Sequence, residues 1–237
     1  MIRNLKALGL ALCAVFALSA MAASGASAQD VKTDVFTAPA GTHLTGIQTG
    51  TAADNVFGTK SSAVAVNCEN ATYKGTVGEE AAEEVTVTPS FTGCKAGGFN
   101  ATVDVSGCDF VLTGTTDTYF DTDNAHKGED ATVSLDCNHT GNVKITAALG
   151  CTITFSDTHG GNTVNQNLLG VKYTNGVSGK WDVKVDVTVD KIHYTATEAC
   201  GFFGIPTTGN DTFLTQTVTV KGYSDAAHTK QVDVTVS

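Results

Sequence analysis

Apolar and polar residues alternate most cleanly over Trp181-Asp182-Val183-Lys184-Val185-Asp186-Val187-Thr188-Val189-Asp190, where every odd position is apolar and every even one polar. Successive side chains of a strand point to opposite faces, so the pattern predicts a strand with one face in a core and one in water. Shorter runs of the same period predict strands over Ala63–Cys68, Glu84–Thr88, Ala101–Val105, Cys108–Leu112, Ala131–Cys137 and Val143–Ala147. Others fall at Cys151–Phe155, Leu168–Tyr173, Thr215–Lys221 and Gln231–Val236. They are broken by Gly, Asn and Asp, which fits an all-β fold of antiparallel, β-sandwich-like type. Past the N-terminus only Glu79–Glu84 has helical propensity, and it is short enough to be expected as an acidic loop or a single turn.

Composition agrees: 37 Thr, many Val and only 3 Pro are the makings of strands. At the N-terminus, Arg3 and Lys6 precede an apolar run from Ala7 to Ala20, and Ala26-Ser27-Ala28 is a small-x-small site before Gln29. Residues 1–28 therefore read as a secretory signal peptide; the apolar run falls short of the roughly 20 residues that a membrane span needs. Cys13 follows Leu12 rather than a small residue, which argues against a lipid anchor. No later stretch is apolar enough to span a membrane, so the expectation is a secreted protein, extracellular or held in a periplasm or at a cell surface. Without residues 1–28 the chain carries 12 Lys, no Arg and 24 carboxylates, a net charge of −12. Nucleic acid is excluded as a partner on that balance, since phosphate binding needs clustered cations.

Six cysteines remain: Cys68, Cys94, Cys108, Cys137, Cys151 and Cys200. An even number in an exported chain reads as three disulfides. Zinc sites want close pairs, and no two of these are nearer than 14 positions. The 14-residue interval from Cys94 to Cys108 recurs from Cys137 to Cys151, and Gly107-Cys108 and Gly150-Cys151 each separate two alternating runs. Cys68, Cys108 and Cys151 look like openers and Cys94, Cys137 and Cys200 like closers. Sequential pairing, Cys68–Cys94, Cys108–Cys137 and Cys151–Cys200, is the simplest of the 15 connectivities. It divides the chain into an N-terminal β domain, 29–140, with two bridges and a C-terminal one, 141–237, with one.

Gly-x-Ser-x-Gly, His-Glu-x-x-His, a P-loop and Gly-x-Gly-x-x-Gly are all absent. His43, His126, His139, His159, His193 and His228 form no ligand pair at i, i+2 or i, i+4. The Asp-rich stretch Asp117–Asp130 has oxygens suited to calcium but not the ligand order of an EF-hand, and a solvated connection is the expectation. No catalytic, cofactor-binding or metal residue is assigned. Trp181 is expected in the core by its phase with Val183 and Val185, which leaves Tyr119, Phe120, Phe202 and Phe203 as an exposed aromatic patch. Phe202–Pro206 has a second reading, as an inward plug beside Cys200.

The Val-x-Val-x-Cys strand at Val64–Cys68, Val-Thr-Pro-x-Phe-x-x-Cys at Val87–Cys94, Gly-Cys-x-Phe at Gly107–Phe110, Cys137 and Cys200 complete a pattern. With the signal peptide, it resembles secreted six-cysteine β-rich proteins of soil actinobacteria. The resemblance implies an exported bacterial protein and carries no activity or site residues. The leading expectation is a non-catalytic extracellular protein, a binding, adhesion or envelope-associated module for an extracellular protein or glycan. The alternatives are a secreted hydrolase of polysaccharide or peptide, and a secreted protease inhibitor presenting Phe202–Pro206.

Overall fold

The computed structural model describes residues 36–62, 64–114, 131–137, 141–156, 168–176 and 182–236. The signal peptide, Trp181, Tyr119, Phe120, the Asp117–Asp130 stretch and His126, His139 and His159 lie outside these residues. The first strands are β1 (Phe36–Thr37), β2 (His43–Gln48), β3 (Val56–Thr59), β4 (Val66–Asn67) and β5 (Asn70–Thr76). Next come β6 (Ala81–Ala82), β7 (Glu84–Thr92), β8 (Lys95–Ala96), β9 (Phe99–Asn100) and β10 (Thr102–Asp104). They are followed by β11 (Asp109–Gly114), β12 (Ala131–Asp136), β13 (Asn142–Thr146) and β14 (Thr152–Ser156). The longest are β15 (Leu168–Asn175), β16 (Asp182–Ala196) and β17 (Thr208–Tyr223), ahead of the short β18 (Gln231–Val232) and β19 (Thr235–Val236).

Eight strands pair in a closed ring, β16-β15-β12-β11-β7-β5-β2-β17 and back to β16, antiparallel throughout. Directly paired residues share a face, so the registers show what points inward. Val185 stands beside Tyr173 and Val218, Val187 beside Val171 and Gln216, Gly46 beside Tyr73 and Val220, and Phe110 beside Val87 and Leu135. The inner face is apolar, as the alternation of residues 181–190 predicts. The outer face carries Thr72, Lys74, Thr86, Thr88, Lys172 and Thr188, all exposed. The all-β, antiparallel expectation holds, but here the sheet is a barrel. β16 and β17 are long enough to pair on both edges, so the sheet curls shut and loses its free edges.

Past Val189 the β16–β17 register shifts twice, and Lys191 takes a φ of 62°, a bulge that turns both strands out of the ring. Below it β16 pairs with β14, followed by β13 and β10, while β17 pairs with β3, followed by β4, β8 and β9. Ile145 and Ile153 from the first group and Phe57, Val66 and Ala96 from the second are buried around one small void, so this end is sandwich-like. At the other end, β19, β1 and β6 form a three-stranded sheet that packs against the ring. Phe36 meets Tyr173 edge to face at 5.1 Å, and Asn175 Nδ2 and Oδ1 bond the backbone of Val236 at 2.8 and 2.9 Å.

The bridges are Cys68–Cys94, Cys108–Cys137 and Cys151–Cys200, as expected, and all six cysteines are buried. Each sits at the margin of paired elements: Cys68 and Cys94 beside the β4–β8 pair, Cys108 and Cys137 beyond the Asp109 and Asp136 pair. Their sequence separations of 26, 29 and 49 residues imply about 3.5–4 kcal/mol each in the chain-entropy account. The expected division at residue 140 needs correcting. β10 pairs with β13 and β12 with β15 across it, β2 and β3 flank β17, and residues 33–237 make one compact unit. Bridges between sequence neighbours leave the strands free to interleave. Glu79–Glu84 is likewise not helical, since Ala81 and Ala82 are extended as β6 and pair with β1.

Candidate functional site

An eight-stranded ring is about wide enough for side chains to fill or to hold one small ligand. This one leaves room: a cavity of about 100 Å³ runs between Leu44, Tyr73, Val133, Val187, Gln216 and Val218. Phe57, Val143, Phe155 and Phe213 extend its lining toward the sandwich-like end. The reason lies in which residues β16 sends inward. Val183, Val185, Val187 and Val189 are stiff and short, well suited to strands but too small to meet across the ring.

Tyr73 organises the polar part. Its ring lies among Phe91 at 6.2 Å and Phe110 at 6.3 Å, and Phe91 meets Phe57 edge to face at 5.2 Å. Its hydroxyl donates to Gln216 Oε1 at 2.6 Å. Burial pushes the Tyr73 phenol well above its ordinary value, with the Gln216 bond opposing, so the group stays neutral. Gln216 is only 3% exposed and faces the cavity in the same phase as Leu214 and Val218. No acidic or basic side chain is among the described residues lining the space.

Of the aromatic patch expected from sequence, Phe202 and Phe203 are described and adjacent, while Tyr119 and Phe120 lie outside the described residues. Phe202 is 78% exposed, whereas Phe203 is half-buried, packs on the core and lines the second void, edge to face with Phe202 at 5.3 Å. Glu198–Phe203 is a 3-10 turn, Gly204 takes a φ of 75°, and Ile205 is buried, while Phe202, Gly204 and Pro206 are exposed. Leu149, at 67% exposure and with a φ of 60°, sits on the neighbouring 3-10 turn Ala148–Gly150, one residue before Cys151.

Among the described histidines, His43 and His228 approach to 6.4 Å between ring centroids, with Tyr223 at 5.0 Å from His228. No group of three or more metal-binding side chains occurs among the described residues. Four aspartates have lowered pKa values. Backbone and hydroxyl bonds from Thr51, Ser106, and Thr229 with Lys230 hold down Asp54, Asp104 and Asp225 in turns. At Asp186 partial burial is outweighed by bonds from Lys184 and Thr217 and by the charges of Lys184 and Lys172. At all four the hydrogen bonds favour the ionised carboxylate.

Sequence reasoning missed the cavity and Gln216. A signal existed: Gln216 occupies an apolar-phase position in the strand it shares with Val218 and Val220. Comparison with known protein families, characterised proteins and solved structures finds no match for the chain.

Proposed function

We propose that this is an exported, non-catalytic binding protein that holds a small apolar molecule inside its barrel. The observation that carries the reading is the cavity of about 100 Å³ within an apolar ring. Ligand sites are typically concave and mostly apolar with a few placed polar groups. Three disulfides fit an oxidising compartment, and the signal-like N-terminus supplies the route. No described helix is long and apolar enough to cross a membrane. A barrel that is apolar inside and polar outside is also the inverse of one that faces lipid.

The reading is tested with naphthalene, a rigid uncharged probe, titrated into the disulfide-intact protein with its fluorescence as readout. One saturable site is expected, with a rise in Tm that follows the probe concentration. Absence of saturable binding overturns the reading. So does turnover of glycan, ester or peptide substrates that is abolished by changing a single carboxylate or histidine.

A further inference from the structure

We propose that the barrel selects an uncharged one- or two-ring molecule carrying a single hydrogen-bond-accepting oxygen, which the side-chain amide of Gln216 receives. The inference rests on the binding reading above and adds the chemistry of the ligand.

Size comes first. At about 100 Å³ the cavity is on the scale of a small aromatic molecule, far below a long acyl chain or a sugar oligomer.

Charge comes second. The described lining offers no Lys, His, Asp or Glu to neutralise an ion, and bringing an unpaired ion into such surroundings costs several kcal/mol. Tyr73 cannot supply a charge, being held neutral by its burial. Carboxylates and amines are therefore rejected even where their shape fits.

The third argument is the state of Gln216. A glutamine amide has two N–H donors and one carbonyl acceptor. Gln216 is nine-tenths buried, yet its one hydrogen bond among the described residues is received at Oε1 from Tyr73. No hydrogen bond from the amide nitrogen occurs among the described residues, and Gln216 lines the cavity. An occupant that covers this donor without offering it a partner pays a desolvation cost, so one that presents an oxygen is favoured over an isostere that does not. Tyr73 fixes the direction: while its hydroxyl donates to Oε1, the end presented to the cavity is the donor end.

The test uses three planar probes of nearly equal size: acetophenone with a carbonyl oxygen, α-methylstyrene with a methylene in its place, and benzoate with a charge. Dissociation constants are measured by calorimetry on the disulfide-intact protein, with naphthalene as control. Acetophenone is expected to bind about tenfold more tightly than α-methylstyrene, the worth of one net hydrogen bond. Benzoate at pH 7 should bind at least a hundredfold more weakly than acetophenone. In the double variant Tyr73→Phe/Gln216→Leu both partners go together, so no buried group is orphaned. There the preference for acetophenone over α-methylstyrene should disappear, the ratio of their dissociation constants falling to about one. Equal binding of acetophenone and α-methylstyrene by the parent protein, a preference that survives in the double variant, or benzoate binding as well as acetophenone each overturns the inference and leaves the apolar reading standing. Failure of naphthalene and all three probes overturns the binding reading itself.

Discussion

Gly222 lies in β17 with its missing side chain directed at the segment between β18 and β19. A Cβ there would sit deep inside van der Waals contact with Val234 Cγ2 and 2.9 Å from Thr42 Cγ2, both on fully buried residues. Val234 thus occupies the space that a larger residue at 222 would need. Gly222→Ala should cost about 1–3 kcal/mol by overpacking. Val234→Ala removes two buried methyl groups and should cost about 2 kcal/mol by lost burial, plus a cavity contribution. If the two residues interlock, the double variant relieves the clash with the space the second change opens. It should be less destabilised than the sum of the singles by about 1–2 kcal/mol. Urea unfolding with the disulfides intact measures this, and an unchanged m-value licenses the comparison. For a domain of this size each kcal/mol is about 2–4 °C in Tm. Additivity within about 0.5 kcal/mol, the behaviour of independent sites, would refute the interlock. So would a Gly222→Ala variant as stable as the parent.

Removing Cys151 and Cys200 together should cost slightly more than removing Cys68 and Cys94, about 4 against about 3.5 kcal/mol, because the closed loop is longer, at 49 against 26 residues; paired Cys→Ala variants in urea check the order. Lys221→Met removes the ammonium 3.5 Å from the buried Asp182 carboxylate, which also accepts from Gln231 Nε2 at 2.8 Å, and should lower the Tm by several degrees in a thermal melt. The raised phenol of Tyr73 keeps its proton in the fold while the unfolded chain loses its own near pH 10. Its contribution is therefore full below pH 10 and declines above it, by about 1.4 kcal/mol per pH unit until the folded value is reached. Tyr73→Phe should flatten that slope in denaturant midpoints measured across the alkaline range. The four lowered aspartates act at the acid end. Their stabilisation is present above the ordinary carboxylate value and is lost as pH falls through their depressed values, so unfolding midpoints should decline below about pH 4.

Where an inward face is all Val, Ile, Leu or Phe, the strand is plain in the sequence, as in β14 and residues 183–189 of β16. β2 and β5 are not. Their inward residues are Leu44, Gly46 and Gln48, and Ala71, Tyr73 and Gly75, so period-two alternation is lost. The reason is steric. A Cβ at Gly46 would lie 2.9 Å from Val218 Cγ1 and 3.0 Å from Tyr73 Cβ, so the ring can accept Tyr73 only beside a glycine. Without those two strands the sequence offers sheets but no closure, and a sandwich is the natural reading. The disulfides were legible because each joins sequence neighbours. The cavity was not, since it is set by how short valines fail to meet across a diameter that only the closed ring defines.

β17 is hydrogen-bonded to β16 on one edge and to β2 and β3 on the other, and Val218 stands beside Gln48 across most of the chain. Every bridge, by contrast, joins cysteines that precede β17. Oxidation can therefore be complete while the ring is still open, leaving a stapled sheet whose unpaired β2 and β16 edges await one last, distant strand. Closure over such separations is slow, and during that interval the gap fits the β17 of any identical neighbour as well as its own. Strand exchange between copies is thus the characteristic way for this fold to err, and crowding during refolding, rather than loss of the bridges, is what should bring it out.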